Sequence, residues 1–354
     1  MINLKNNNSS PKIIQVEVST TCNASCIYCP RTILRSKWVS SFMDPRLLHK
    51  IVNEIASTGS LEYIHLQGWG EPLLHPRLTD IINIVKGRVN FGLTTNGLLL
   101  SDDTIGKLLE SGISVISVTF AGAYPVTHDS IRVGCSFRTM VNNVRKIISF
   151  KRKLGSDVKV VANYIMTSMN IHELVDFMEL CHELGVEEVV LNNLTYILSK
   201  QMSTWKVFAD PVEQGSRIIN HAIDAAMRRA RELGIRIFAY SLNCWELSEC
   251  PERPTESMFI SVNGEVSPCV FLNLPIKDNY MPRCFMGKCF RVRKLIFGNV
   301  NNNDVLSIWR SRDYLDFRLK FTRRRAYIIQ GIAENYNELM PPSQCLTCYR
   351  LYGV

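Results

Sequence analysis

Six stretches rich in β-branched residues, each followed by a helical pattern, limit what this chain can fold into more than any other feature. The strand-like runs are Ile13–Val18, Tyr63–Leu66, Val89–Thr94, Val115–Phe120, Val158–Met166 and Glu188–Leu191. Between them apolar residues recur at i, i+3 and i+4, as in Leu47, Leu48, Ile51, Val52 and Ile55, or Leu174, Phe177, Met178, Cys181 and Leu184. That spacing gives a helix one apolar face. Strands joined through helices run parallel, because each crossover returns the chain to the same end of the sheet. The fold class is therefore α/β. Six such units in succession predict a parallel sheet curling into a partial (β/α)6 barrel of the TIM type, with functional residues just beyond the C-terminal ends of the strands.

After a helical pattern over Arg217–Leu233 and a short strand at Ile235–Tyr240, the rhythm changes. Met258–Val262 and Glu265–Ser267 flank Asn263-Gly264, the dipeptide that suits a two-residue hairpin turn. Beyond it cysteines are dense and the alternation stops. This predicts a barrel core over 1–239 and a smaller cysteine-rich domain over 240–354. The first residues are polar and lack the apolar stretch of a signal peptide. No run reaches the roughly eighteen apolar residues of a membrane helix. A cytoplasmic protein with no membrane contact is expected. The cytosol keeps thiols reduced, so twelve cysteines point to metal or redox chemistry rather than to a disulfide framework.

The first strand runs into Thr20-Thr21-Cys22-Asn23-Ala24-Ser25-Cys26-Ile27-Tyr28-Cys29-Pro30. Three thiolates on one loop can ligate three irons of a 4Fe–4S cubane and leave the fourth iron open. A zinc site would need a fourth Cys or His nearby, and the nearest histidine, His49, falls inside a helical pattern. Cys-x3-Cys-x2-Cys with Tyr28 before its last member resembles the radical S-adenosylmethionine (SAM) superfamily. The likeness continues along the barrel. Gly68-Trp69-Gly70-Glu71-Pro72 is similar to that family's Gly-Gly-Glu-Pro segment, with Trp69 in place of the first glycine. Thr94-Thr95-Asn96-Gly97 follows the third strand as in the family, and Thr119 and Arg132 stand at matching positions after the fourth. Ala121 replaces an aspartate that many relatives carry.

The resemblance implies a set of cofactor contacts. Tyr28, Thr94 and Asn96 belong to it, and Gly70 lets the backbone approach. The Glu71 carboxylate or nearby carbonyls would accept from the α-amino group of SAM. Thr119 would reach the ribose, and Arg132 would pair with the SAM carboxylate; a surface arginine is the alternative for Arg132. His65 and His75 read as packing or capping residues, and Cys181 and Cys135 as structural thiols.

Cys250-x13-Gly264-x4-Cys269, followed near the end by Cys345-x2-Cys348, resembles the SPASM and twitch extensions of the same superfamily. Only six residues follow Cys348 and none is Cys, which favours the shorter form with one auxiliary 4Fe–4S cluster on Cys250, Cys269, Cys345 and Cys348. A zinc site on the same four thiolates is an alternative. Cys244, Cys284 and Cys289 leave a two-cluster arrangement open, with Cys244, Cys250 and Cys269 on one cluster and Cys284, Cys289, Cys345 and Cys348 on the other.

The family's chemistry is reductive cleavage of SAM to a 5′-deoxyadenosyl radical that abstracts a substrate hydrogen. An electron donor such as ferredoxin or flavodoxin is implied as partner. No side chain stands out as a catalytic acid or base. The Gly-Trp-Gly-Glu-Pro variant and the ending Cys-x2-Cys-Tyr-Arg-Leu-Tyr-Gly look similar to maturases associated with tungsten-cofactor oxidoreductases of anaerobes. Their substrate would be a cofactor precursor, a protein or a peptide. A peptide-modifying enzyme, a small-molecule dehydrogenase, and a non-catalytic iron–sulfur carrier or nucleic-acid-binding module are the other readings.

The net charge of +9 is confined to residues 277–325, where thirteen Lys or Arg meet four Asp or Glu. Such a block either attracts an anionic substrate through residues such as Arg283, Lys288, Arg291, Arg293 and Lys294, or forms a solvated surface.

Overall fold

The computed structural model describes residues 10–56, 58–211, 215–330 and 339–354. Seven strands pair in chain order, each parallel to the next: β1 Ile13–Val16, β2 Tyr63–Leu66, β3 Phe91–Thr95, β4 Val115–Phe120, β5 Lys159–Met166, β6 Glu188–Asn193 and β7 Arg236–Ala239. The helices between them include Pro45–Ala56, Phe137–Leu154, Leu174–Leu184 and Arg217–Glu232. Alternate strand residues face opposite sides of a sheet. On one side Ile14, Val16, Leu66, Leu93, Ile116 and Val118 are buried in one core with Leu48, Ile51, Val144 and Phe177 of the helices. On the other side Gln15, His65, Thr94, Ser117, Asn163 and Asn192, one from each of β1 to β6, line a single cavity. One cavity shared by six strands requires the sheet to curl, so the α/β partial barrel is the observed architecture.

The C-terminal segment attaches to this sheet in a way the sequence pattern did not announce. Strand β8 (Ser257–Ile260) runs parallel to β1, with Ile13 opposite Ser257 and Val16 opposite Ile260. Strand β9 (Glu265–Ser267) returns antiparallel to it. The turn between them forms as expected: Gly264 has φ +82° and its N–H donates to Ser261 O at 2.9 Å. A side chain at Gly264 would also collide with Asn299. A second hairpin, β10 (Tyr280–Phe285) and β11 (Lys288–Arg293), stands apart from the main sheet. Strand β12 (Gly298–Asn299) then pairs with β9 and completes a ten-stranded sheet. The β1 edge, which an isolated partial barrel would leave unpaired, is thereby covered. No helix among the described residues is long and apolar enough to cross a membrane.

Candidate functional site

The Cys22–Cys29 loop is held from three sides. Trp38 Nε1 donates to Thr20 O at 3.0 Å, and Glu71 N donates to Thr21 O at 2.8 Å. Ser25 N and Ile27 N donate to Val133 O and Ile131 O at 2.6 and 3.0 Å. Pro30 then opens a short helix, Pro30–Ile33, where its missing N–H costs nothing. Cys22, Cys26 and Cys29 gather in one apolar nest with Ala24, Tyr28, Leu98 and Cys135. Cys135 therefore lies against this loop, and its thiol donates to Asn96 O at 3.4 Å. Burial pushes the Cys29 thiol up to about 12 and raises that of Cys22 as well. Thiols so placed ionise only when a cationic centre compensates them.

The residues matched to SAM contacts divide into two groups. Tyr28, Thr94, Thr119 and Arg132 line the barrel cavity, whose volume is about 550 Å³. Arg132 is buried rather than on the surface; its Nη1 donates to Tyr28 Oη at 3.1 Å, and its Nε has no partner. Thr94 Oγ1 lies 2.9 Å from His65 Nε2, and burial lowers the His65 pKa to about 4, so this imidazole is neutral at pH 7.

Gly70, Glu71 and Asn96 do not line the cavity. A Cβ at Gly70 would lie 2.3 Å from Ser19 O, so glycine is needed for contact with the loop after β1 rather than with a ligand. The Glu71 carboxylate is 2% exposed and wholly occupied. Its Oε1 accepts from Thr95 Oγ1 at 2.7 Å and Leu73 N at 3.2 Å, and its Oε2 accepts from Asn96 N at 2.7 Å. Asn96 in turn donates through Nδ2 to Asn23 Oδ1 at 2.7 Å, with Cys22 Sγ at 3.8 Å. Glu71 and Asn96 thus brace the cysteine loop. His75, as expected, packs: its Nε2 lies 2.8 Å from Met43 O.

The second thiol set resolves into four and three. Cys250, Cys269, Cys345 and Cys348 act electrostatically on one another, and burial raises the first three well above the usual thiol range. Cys284 and Cys289 face each other across β10 and β11 and form a disulfide. Bonded to each other, these two sulfurs offer no thiolate in this structure, which speaks for the four-cysteine set over the two-cluster arrangement. Cys244 packs with Cys284, Phe208 and Tyr349 in a separate apolar cluster. Among the described residues no three His, Cys, Asp or Glu side chains close on a single-ion position. All-thiol donor sets suit iron–sulfur clusters.

The basic block also needs correction. Arg283 is 2% exposed, and Lys294 Nζ is held by Ile276 O at 2.6 Å. Lys288, Arg291 and Arg293 are exposed on β11, and none lines the barrel cavity.

Several residues near the second set escaped sequence reasoning. Trp69 Nε1 donates to Val270 O and Asn273 O at 3.3 and 3.1 Å, next to Cys269, and its ring meets Tyr196 and Phe271 edge-on. Arg350 joins Glu252 and the Tyr240 hydroxyl, each at 2.8 Å, and all three line the cavity. Asn163 and Asn192 carried a usable signal, being polar at the period-2 positions opposite the apolar ones.

Residues 16–181 match the model of the radical SAM superfamily, and residues 250–349 match that of SPASM, an iron–sulfur cluster-binding domain. The chain is a radical SAM enzyme. Its radical SAM domain uses a 4Fe–4S cluster with SAM, and its SPASM domain binds an auxiliary iron–sulfur cluster. This enzyme is 25% identical over 314 residues to the tungsten-containing aldehyde ferredoxin oxidoreductase cofactor-modifying protein of Pyrococcus furiosus, covering 87% of this chain and 83% of that one. It is 30% identical over 183 residues to the AdoMet-dependent heme synthase of Methanosarcina barkeri, covering 50% of this chain and 49% of that one. Among solved structures, Streptococcus suis SuiB bound to S-adenosylmethionine superposes with TM-score 0.64 at 15% identity, covering 99% of this chain and 74% of that one. The anSMEcpe structure with bound AdoMet gives TM-score 0.64 at 15% identity, covering 97% and 85%. These two show the shared fold.

Proposed function

We propose that the enzyme is a maturase that applies radical SAM chemistry to a cofactor precursor or a protein. The carrying observation is the cavity itself. Its wall contains Tyr28 and Cys29 of the first thiol loop and also Glu252, Phe271 and Arg350, which sit two residues from Cys250, Cys269 and Cys348. A substrate held there would contact both parts of the chain. The volume of about 550 Å³ suits a small-molecule or side-chain-sized substrate. The maturation step is supported by the end-to-end similarity to the cofactor-modifying protein, which spans both domains. The peptide-modifying reading stands second, since the likeness to SuiB bound to its precursor peptide is one of fold.

In this assignment Cys22, Cys26 and Cys29 hold the first cluster, and Cys250, Cys269, Cys345 and Cys348 hold the second. When bound, the first cluster supplies the electron that splits SAM and yields the hydrogen-abstracting radical. Arg132 presents its charge, with an open Nε–H, to the SAM carboxylate, while Tyr28 orients the guanidinium. Thr94 and Thr119 offer hydroxyls to the ribose, and Glu71 and Asn96 keep the thiol loop in register. The boundary between the two parts falls at 239/240, just after β7.

The reconstituted enzyme with dithionite should form 5′-deoxyadenosine from SAM. Changing Cys22, Cys26 and Cys29 to Ala should abolish this and lower iron from about eight to about four per chain. With a deuterated substrate, deuterium should appear in 5′-deoxyadenosine when the precursor of a tungsten-oxidoreductase cofactor is supplied. Transfer from a peptide alone would favour the second reading.

A further inference from the structure

The structure assigns Arg283 as the fixed positive charge that sets the reduction potential of the auxiliary cluster; this rests on the four-cysteine ligand set proposed above. Arg283 lies on β10 and is one of the largest fully buried side chains. A guanidinium is never deprotonated in a protein, so its burial demands compensation. Among the described residues no carboxylate ion-pairs with it. Its Nη1 donates to Gln344 O at 3.1 Å and its Nη2 to Phe271 O at 2.6 Å. Those carbonyls flank Cys345 and Cys269, so the planar fork ties together the two loops that carry these thiols. One face of the guanidinium lies 5.4 Å from the centre of the Tyr196 ring, which lines the cavity.

Two features point past a simple clamp. Cys348, Tyr196, Cys269 and Cys345 all lie close enough to act on the Arg283 charge, so the ligand set, once its thiols are ionised, would supply the balancing negative charge. Its Nε–H is buried with no partner. A buried donor left open is costly, and a thiolate or cluster sulfur of the adjoining ligand set would supply its acceptor. Both effects act in one direction. Reduction adds an electron, and a nearby buried cation with a donor to sulfur stabilises the more negative state. Arg283 therefore raises the potential and lets the cluster accept an electron from the cavity side, where Tyr196 stands between it and Trp69.

The test is a redox titration of the reconstituted full-length enzyme followed by electron paramagnetic resonance. The radical cluster, whose signal changes on adding SAM, serves as internal control. Arg283→Met should lower the reduced-to-oxidised ratio of the auxiliary cluster at least tenfold at a fixed poise, about 59 mV for one electron, with the radical cluster unmoved. Arg283→Lys, which keeps the charge, should hold the ratio within about threefold of the parent. If Arg283→Met sheds the auxiliary irons while Arg283→Lys retains them at the parent potential, the charge is again what matters. An unchanged ratio in Arg283→Met overturns the assignment, as does loss of about four irons in both variants, which marks a clamp only. Full iron content after changing Cys250, Cys269, Cys345 and Cys348 to Ala would instead refute the ligand set on which the assignment depends.

Discussion

Glu71→Gln separates a brace from a ligand. The carboxylate accepts three hydrogen bonds, from Thr95 and Leu73 on one oxygen and from Asn96 N on the other. A glutamine can keep the Thr95 and Leu73 pair on its one oxygen, but its NH₂ then faces the Asn96 N–H, donor against donor. The change removes a charge-assisted bond worth about 1.5–3 kcal/mol and leaves a buried N–H unsatisfied at about 1–3 kcal/mol. Burial already raises the Glu71 pKa against these hydrogen bonds, so neutralising the group returns part of that sum. A net cost of about 2–4 kcal/mol remains. It falls on Asn96, whose amide holds Asn23 and reaches towards Cys22. Expressed locally, each 1.4 kcal/mol is about a tenfold rise in opening of the thiol loop. Release of the radical-cluster iron to a chelator should therefore accelerate at least about tenfold, with release of the auxiliary iron unchanged. Unchanged release kinetics together with weakened SAM binding would show that Glu71 touches the cofactor directly and that the brace is wrong.

Two further predictions concern the joint between the parts of the chain. Burial raises the Glu17 pKa from 4.5 to about 8, against hydrogen bonds from the Trp69 and Val262 backbone; the folded state thus holds a proton that the unfolded chain releases above about 4.5. Stability from this group is full below that pH and is lost as pH rises through 8, at about 1.4 kcal/mol per unit, and Glu17→Gln should flatten that slope in anaerobic unfolding measured between pH 5 and 8. Trp69→Phe removes the donor to Val270 O and Asn273 O and should cost about 1–2 kcal/mol with substrate-independent SAM cleavage retained; a loss of that cleavage equal to the loss of substrate turnover would contradict it.

Most strands were legible because their cause is local. β2, β4 and β9 fall where period and β-branched content place them, and Asn263-Gly264 forms its turn because φ +82° suits glycine. What the sequence could not convey is long-range. Nothing in Met258–Val262 reveals that it will pair with β1, some 240 residues earlier, since any half-buried strand has the same pattern. Gly70 and Glu71 were legible as a motif but not in their contacts: the glycine abuts Ser19, and the carboxylate accepts from Leu73 in its own turn and from Thr95 and Asn96 at the end of β3. Cys284 and Cys289 leave a second cluster open when read from the sequence, and only the register of β10 against β11 sets them opposite each other. Arg283 looked like one more charge in a basic run, whereas on β10 it shares a face with the buried Met281 and Phe285, which turns it inward.

The residue that departs from the family's Gly-Gly-Glu-Pro pattern is also the one that joins the two cysteine systems. A glycine at position 69 would offer only its backbone N–H, which here donates to Glu17 Oε1 at 2.8 Å. The indole adds one N–H, shared between Val270 O and Asn273 O after Cys269, and two edge-on ring contacts, with Tyr196 and Phe271. Tyr196 carries the Arg283 guanidinium over its ring, and Arg283 holds the carbonyls of Phe271 and Gln344. A continuous set of contacts therefore runs from the segment after β2, through the cavity wall, to the loops bearing Cys269 and Cys345. The backbone reinforces it, since β8 is hydrogen-bonded along β1, from whose end the Cys22–Cys29 loop departs. Two thiol sets tied by both a strand pair and an aromatic bridge cannot shift independently. The spacing of the two thiol sets is then a property of the fold, as the proposed passage of an electron to the auxiliary site would require.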